Sequence, residues 1–348
     1  MRSHDPAVPP RISRAGLGLA ARRLRLPHGL AACGLVLWLL DLKTQIVAGP
    51  PTFMADAISY AAAGQHLLKS EPLYASFQLA GPYELGSATF GRGFVYPPTA
   101  ALLFVPLAPL GSAALAVVFG IAWAAFGLLA FRLARRSGLE SRASALLALV
   151  VTFSGPAISG ASSGNLNLIV ADGLLASWLW PGSAGTLAVL GGAIKFFPAA
   201  GLIWAVRKRR TLRWPLALGV VLVIATTVII GMSGWNDFVT SFAYGRSSSG
   251  YFVISPSRLL GLFFEPGIGQ LVGYSLAAVA LAGAWRLKDE SAAFALLGWA
   301  MILPAPDWYS HYLLVPLAAM LPWVVQKLVV APQVQHPMIR RVRALTAG

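Results

Sequence analysis

Three residue types in this chain have the chemistry of group transfer at a polar centre: an isolated acid, a few cations outside the basic clusters, and amides near them. The acid is Asp56 in FMADAISYAAAGQHLLKSEPLY, in a chain with only 12 acidic residues among 348. A carboxylate there can take a proton from a hydroxyl, or it can cap the helix that ADAISYAAAGQHLL predicts. The cation with the most telling setting is Lys195 in LGGAIKFFPAAG. It can hold a phosphate as a flexible point charge, or snorkel to a membrane interface. Arg258 in SPSRLLG can bind phosphate bidentately, and Arg92 is a reserve for the same task. Asn165 and Asn167 in SSGNLNLIVADGLL can cap a helix or bond sugar hydroxyls. Tyr96 in FVYPPTAALLFVPLAPL can stack on a sugar or line a lipid groove. Asp307 and His311 in PAPDWYSHYLLVP are four apart, so on a helix they share a face, as ligand contacts or as a structural pair. Asp172 lies deeper in its segment and has no assigned part. No DxD or HExxH spacing appears, and Cys33 stands alone; no metal or cofactor is expected.

What must position these residues is a membrane. The chain is 57% hydrophobic and 11% charged, against about 25% charged in soluble domains. Apolar runs at 29–48, 112–134, 143–160, 166–180, 184–206, 214–232, 269–286, 291–304 and 311–328 predict an all-α, polytopic transmembrane bundle of about 9–11 membrane helices. A long first loop, 49–111, carries interfacial helices. The expected organisation is a basic tail over 1–28, one membrane domain over 29–328 and a second basic tail over 329–348. The net charge of +15 is concentrated in the two tails and in the connections at 132–142, 207–213 and 286–288. The positive-inside bias makes those regions cytoplasmic, so nucleic acid is not an expected partner.

The alternation of spans then sets a condition on 184–206, which must begin and end on the cytoplasmic side. Pro198 disfavours helix in the residue before it. The prediction is two short helices meeting near Lys195–Pro198 on the outer side. With that break, Asp56, Arg92, Tyr96, Asn165, Asn167, Lys195, Arg258, Asp307 and His311 all fall on one side, and one polar cavity at the outer leaflet is the economical arrangement.

DAISYAAAGQHLLKSEPLY followed by FVYPPTAALLFVPLAPL resembles the start of glycosyltransferase family 87, polyprenyl-phosphate-mannose-dependent mannosyltransferases of the glycosyltransferase C superfamily. GNLNLIVADGLL, GGAIKFFPAAGLIWAVRKRR and DWYSHYLLVP resemble its later segments. The resemblance implies transfer of mannose, or a related sugar such as arabinofuranose, from a polyprenyl-phosphate donor to an acceptor hydroxyl at the extracytoplasmic face of the cell membrane. It implies Asp56 as the general base, and a glycolipid or polysaccharide acceptor. Within that reading Lys195, Arg258 and Arg92 hold the donor phosphate, while Tyr96, Asn165, Asn167, Asp307 and His311 bind or orient the sugars. A groove beside 97–110 admits the lipid tail. The alternative class is a transporter or lipid flippase, in which broken helices also occur.

Overall fold

The computed structural model describes residues 53–84, 93–246, 255–256, 259, 266–305 and 308–334. Arg92, Arg258, Asp307, Cys33 and the expected first span at 29–48 lie outside the described residues. The described chain is almost wholly helical. In order it runs α1 (Ala55–Leu68), α2 (Ser76–Ala80), β1 (Tyr83–Glu84), α3 (Pro98–Phe104), α4 (Ser112–Arg136), α5 (Ser141–Thr152), α6 (Gly155–Ser163), α7 (Asn167–Leu179), α8 (Ala184–Lys195), α9 (Leu202–Arg207), α10 (Arg213–Tyr244), β2 (Gly245–Arg246), α11 (Pro266–Arg286), α12 (Glu290–Ile302) and α13 (Leu314–Val334). The two strands are two residues each and pair in parallel, Tyr83 with Gly245 and Glu84 with Arg246.

Among the described residues, four helices are long and apolar enough to cross a membrane: Ser112–Arg136, Arg213–Tyr244, Ile268–Arg286 and Ser310–Val329. The protein is a polytopic membrane protein. α4 shows why such helices need lipid: Leu115, Phe119, Phe126 and Leu133 are buried on one face, while Val117, Ile121 and Leu128 lie exposed on another. A helix apolar on every side is stable only when its outward face meets hydrocarbon or more protein.

Three expected single spans fold differently; one of them, 291–304, is α12, whose 13 residues are as short as those of α7. The run at 143–160 is a bent pair, α5 and α6, meeting at 55°. The break falls at Phe153–Ser154: Ser154 is extended (ψ 148°) as the N-cap of α6, and Pro156 sits in the first turn of α6, where its missing N–H has no helical partner to lose. The run at 166–180 folds as α7, whose 13 residues reach only about 20 Å at 1.5 Å per residue. By contrast, 184–206 does break where proline argues for it. α8 ends at Lys195, a 3-10 turn covers Phe197–Gly201, and α9 follows. Phe196 at the break has φ 61° and ψ −64°, a strained conformation for a side chain with a Cβ. The fold-back is tight because Gly191 and Gly192 face it: a Cβ on either would come within 2.8 Å of Pro198 or Ala199.

The first loop is tied down by three polar anchors. Gln78, fully buried, donates from Nε2 to the Phe94 carbonyl at 3.0 Å, to the Ser241 hydroxyl at 3.2 Å and to the Tyr83 hydroxyl at 3.3 Å. The Tyr74 hydroxyl donates to the Tyr96 carbonyl at 2.7 Å. Thr99 on α3 donates to the Ala193 carbonyl of α8 at 2.6 Å. Together these hold 93–98 against the broken helix and aim the Tyr96 ring towards it.

Candidate active site

The site is assembled at the turn between α6 and α7. Gly164 ends α6 at φ 67°. Its N–H reaches the Ala161 carbonyl, and the N–H of Asn165 reaches back to the Gly160 carbonyl at 2.8 Å, the paired bonds of a Schellman ending. The lack of a side chain at 164 matters twice. Positive φ suits glycine, and a Cβ would meet the Ala57 Cβ at 2.5 Å and the Met54 sulfur at 3.0 Å. The start of α1 is docked there, with the Met54 N–H on the Ser162 carbonyl at 2.9 Å. Gly164→Ala is therefore expected to lose about 2 kcal/mol or more of stability from strain and overpacking, and to lose activity with it. Thermal denaturation in detergent alongside a turnover measurement checks this; a stable, fully active variant would mean the docking is dispensable.

That docking brings Asp56 to Asn165. Met54 is the residue that caps α1, so Asp56 lies inside the first helical turn rather than at the N-cap, and its side chain does not cap the helix. Asn165 Nδ2 instead donates to Asp56 Oδ2 at 2.7 Å. Asn165 Oδ1 accepts the N–H of Asn167 at 2.9 Å. Asn167 Oδ1 in turn accepts Lys195 Nζ at 2.7 Å. The four residues form one hydrogen-bonded file from carboxylate to ammonium, drawn from three separate parts of the chain.

Aromatic rings enclose the file. Lys195 Nζ lies 4.2 Å from the centre of the Tyr312 ring and 6.0 Å from that of Tyr96, within cation–π reach of both. The Tyr60 and Tyr96 hydroxyls are 3.0 Å apart, and the Tyr60 ring stacks on Phe104. Burial pushes the Asp56 carboxyl up from its usual range, opposed by the Asn165 hydrogen bond, the Lys195 charge and the Ser163 hydroxyl. Burial also raises Tyr60 and Tyr96 well above the ordinary phenol range, so both stay protonated.

A cavity of about 240 Å³ opens beside the ammonium. Tyr96, Asn167, Lys195, Phe196, Phe238 and Tyr312 are among its lining residues. A second cavity, about 310 Å³ and lined mostly by apolar side chains of α7, α8 and the break, shares Val170, Pro198 and Met301 with the first. The segment 93–104 borders both, through Tyr96 in one and Leu103 in the other.

The structure thus brings Asp56, Asn165, Asn167, Lys195 and Tyr96 together. His311 is buried next to Tyr312, with Nδ1 3.4 Å from the Ser159 hydroxyl and its ring stacked on Tyr309. Asp172 stays apart from the file, with Oδ1 buried and unpartnered among the described residues. Tyr60 and Tyr312 are site residues that sequence reasoning missed. Tyr60 carried a signal, since it stands four residues after Asp56 and a helix puts the two on one face. Nothing in the sequence singles out Tyr312 from the other tyrosines.

The profile of glycosyltransferase family 87 matches residues 94–306, more than half of the chain. The protein belongs to glycosyltransferase family 87. It is a glycosyltransferase, acting on a sugar donor and an acceptor, which decides against the transporter or flippase alternative. Tyr96, Asn165, Asn167 and Lys195 of this family 87 protein lie inside the matched segment, while Asp56 and His311 flank it. No curated protein and no solved structure matches the chain.

Proposed function

We propose that this family 87 enzyme transfers mannose, or a related sugar, from a polyprenyl-phosphate donor to the hydroxyl of a glycolipid or polysaccharide, with inversion. The observation that carries the reading is the file Asp56–Asn165–Asn167–Lys195, a carboxylate and an ammonium spaced by two amides beside a largely apolar cavity. In one displacement the acceptor O–H gives its proton to Asp56, its oxygen bonds to the anomeric carbon, and the bond from that carbon to the phosphate oxygen breaks. The phosphate leaves with the electron pair, and Lys195 faces the charge that grows on it. Arg258 and Arg92 are further candidates for the phosphate, and Tyr96, Asp307 and His311 for the sugars. The adjoining apolar cavities suit an isoprenoid tail. The leaving group is a phosphate already attached to lipid, so the reading needs no nucleotide-binding fold and no metal.

The arrangement of basic residues supports an extracytoplasmic site with cytoplasmic termini. Arg136 donates to the Leu179 carbonyl at the end of α7 that lies away from Asn167. Arg207 bonds the carbonyls of Ala284, Trp285 and Leu287, and Lys208 pairs with Glu290. The clusters at 132–142, 207–213 and 286–288 therefore gather at the end of the bundle opposite the file, as one cytoplasmic surface would.

The test is transfer by purified protein in nanodiscs, offered radiolabelled polyprenyl-phosphate-mannose or a nucleotide-linked mannose, with total membrane lipid as acceptor. Label should move from the lipid-linked donor alone. Transfer from the nucleotide sugar alone would overturn the donor; with polyprenyl-phosphate-arabinofuranose offered in parallel, transfer from that donor alone would select the related sugar over mannose.

A further inference from the structure

The two amides of the α6–α7 turn have orientations that chemistry dictates. The N–H of Asn167 can only donate, so Asn165 must turn its Oδ1 to it. Its Nδ2 then faces Asp56 Oδ2, an oxygen that accepts when ionised. Flipping the amide would set oxygen against oxygen and N–H against N–H. Asn165 is 3% exposed, is absent from the lining of both cavities, and has its carbonyl and one amide hydrogen engaged. A residue so placed offers little to a sugar.

Asn167 differs. Lys195 can only donate, which fixes Oδ1 of Asn167 towards Nζ. Among the described residues its Nδ2 is left buried without a partner, on a residue that lines the 240 Å³ cavity. The neighbouring amides thus divide their work: Asn167 touches the cavity, and Asn165 touches the acid.

We propose that Asn165 is a positioning residue for sugar transfer, orienting the Asp56 carboxylate towards the acceptor and keeping it in register with Lys195 through the Asn167 N–H. This replaces the sugar-binding role first expected of Asn165, and it rests on Asp56 being the base. Asp56 cannot be aligned by its own helix, since its side chain makes no cap there. The groups facing it are Tyr60 on α1, Ser163 on α6, Tyr96 on the 93–98 segment and Lys195 on α8, besides Asn165 itself. All except Asn165 are unchanged in an Asn165 variant, so a shift in the behaviour of the acid is attributable to that one bond.

The experiment compares wild type with Asn165→Ala, Asn165→Gln and Asn165→Asp, full-length and in nanodiscs, using polyprenyl-phosphate-mannose and total membrane lipid. Loss of a donor to a carboxylate raises the pH at which it ionises. In Asn165→Ala the acidic limb of the kcat profile should move to higher pH, with kcat lowered about 10- to 100-fold and donor KM changed by less than about threefold. Asn165→Gln, which keeps an amide, should recover part of kcat and bring the limb back. An unmoved limb in folded Asn165→Ala, or a donor KM raised about tenfold with kcat intact, would overturn the proposal. If Asn165→Ala does not fold, Asn165→Asp decides: a second carboxylate beside Asp56 must drive the limb upward, and an unmoved limb there is equally fatal. Wild-type turnover in Asp56→Asn would instead remove the underlying reading, so the two failures are distinct.

Discussion

Asp56→Asn is expected to lower kcat about 10³-fold, within the range that a positioned general base supplies, while leaving the protein folded. The fold should survive because Asn can present an oxygen to Asn165 Nδ2 in place of the carboxylate at 2.7 Å. Stability even has reason to rise. The Asp56 carboxyl is raised from its ordinary value by burial, so the folded state binds its proton more tightly than the unfolded chain does. The ionised group therefore subtracts stability at any pH above the unfolded value of about 3.9, and an amide removes that cost. The same raised value predicts that wild-type kcat falls on the acid side at a pH above the usual carboxylate range, because protonated Asp56 can take no proton. The measurement is turnover with polyprenyl-phosphate-mannose across pH 4–8, with thermal midpoints recorded for both proteins. Turnover like the wild type's in Asp56→Asn would retire the base, and an acid limb persisting in the residual activity would assign that limb elsewhere.

Much of the fold was legible because lipid imposes simple rules. Composition and run length were enough for an all-helical membrane protein, and Pro198 with charge parity was enough to place a break after Lys195. Pro98 occupies the first turn of α3, the helical position where proline loses no hydrogen bond. The bend at Phe153–Ser154 was legible from Pro156, since a proline favours the first turn of a new helix, but uninterrupted apolarity across 143–160 masked it. The site was harder. Periodicity speaks only for neighbours on one helix, so it could relate Tyr60 to Asp56, but not Asp56 to Asn165, 109 positions away. That pairing depends on Gly164 admitting α1, a close approach that no local pattern encodes. The amides were likewise read as caps or sugar ligands, whereas Asn165 Oδ1 takes the first N–H of α7 and its other end is free for Asp56. Capping and site assembly turn out to be one arrangement, which residue types alone do not disclose.

Lys195→Met is expected to lower kcat/KM for the lipid-linked donor by about 10²–10³-fold, the scale on which one preorganised donor to a developing anion acts. Methionine keeps an unbranched apolar stem against Tyr312 and removes the charge, which separates electrostatics from packing. As the sugar–phosphate bond breaks, the leaving phosphate gains negative charge, so its attraction to Nζ is greater in the transition state than in the bound donor. The loss should therefore fall mainly on kcat, with a smaller rise in donor KM. Lys195→Arg is not expected to restore full activity. The ammonium is seated between one acceptor, Asn167 Oδ1 at 2.7 Å, and one ring face at 4.2 Å, a niche for a compact charge rather than a planar fork. Arginine should thus retain charge but lose alignment, giving activity between the wild type and methionine variants. If Lys195→Met has unaltered kcat and donor KM, the ammonium does not meet the phosphate, and its bond to Asn167 is structural. If only KM changes, Lys195 binds the donor without stabilising its departure, and another cation must face the breaking bond.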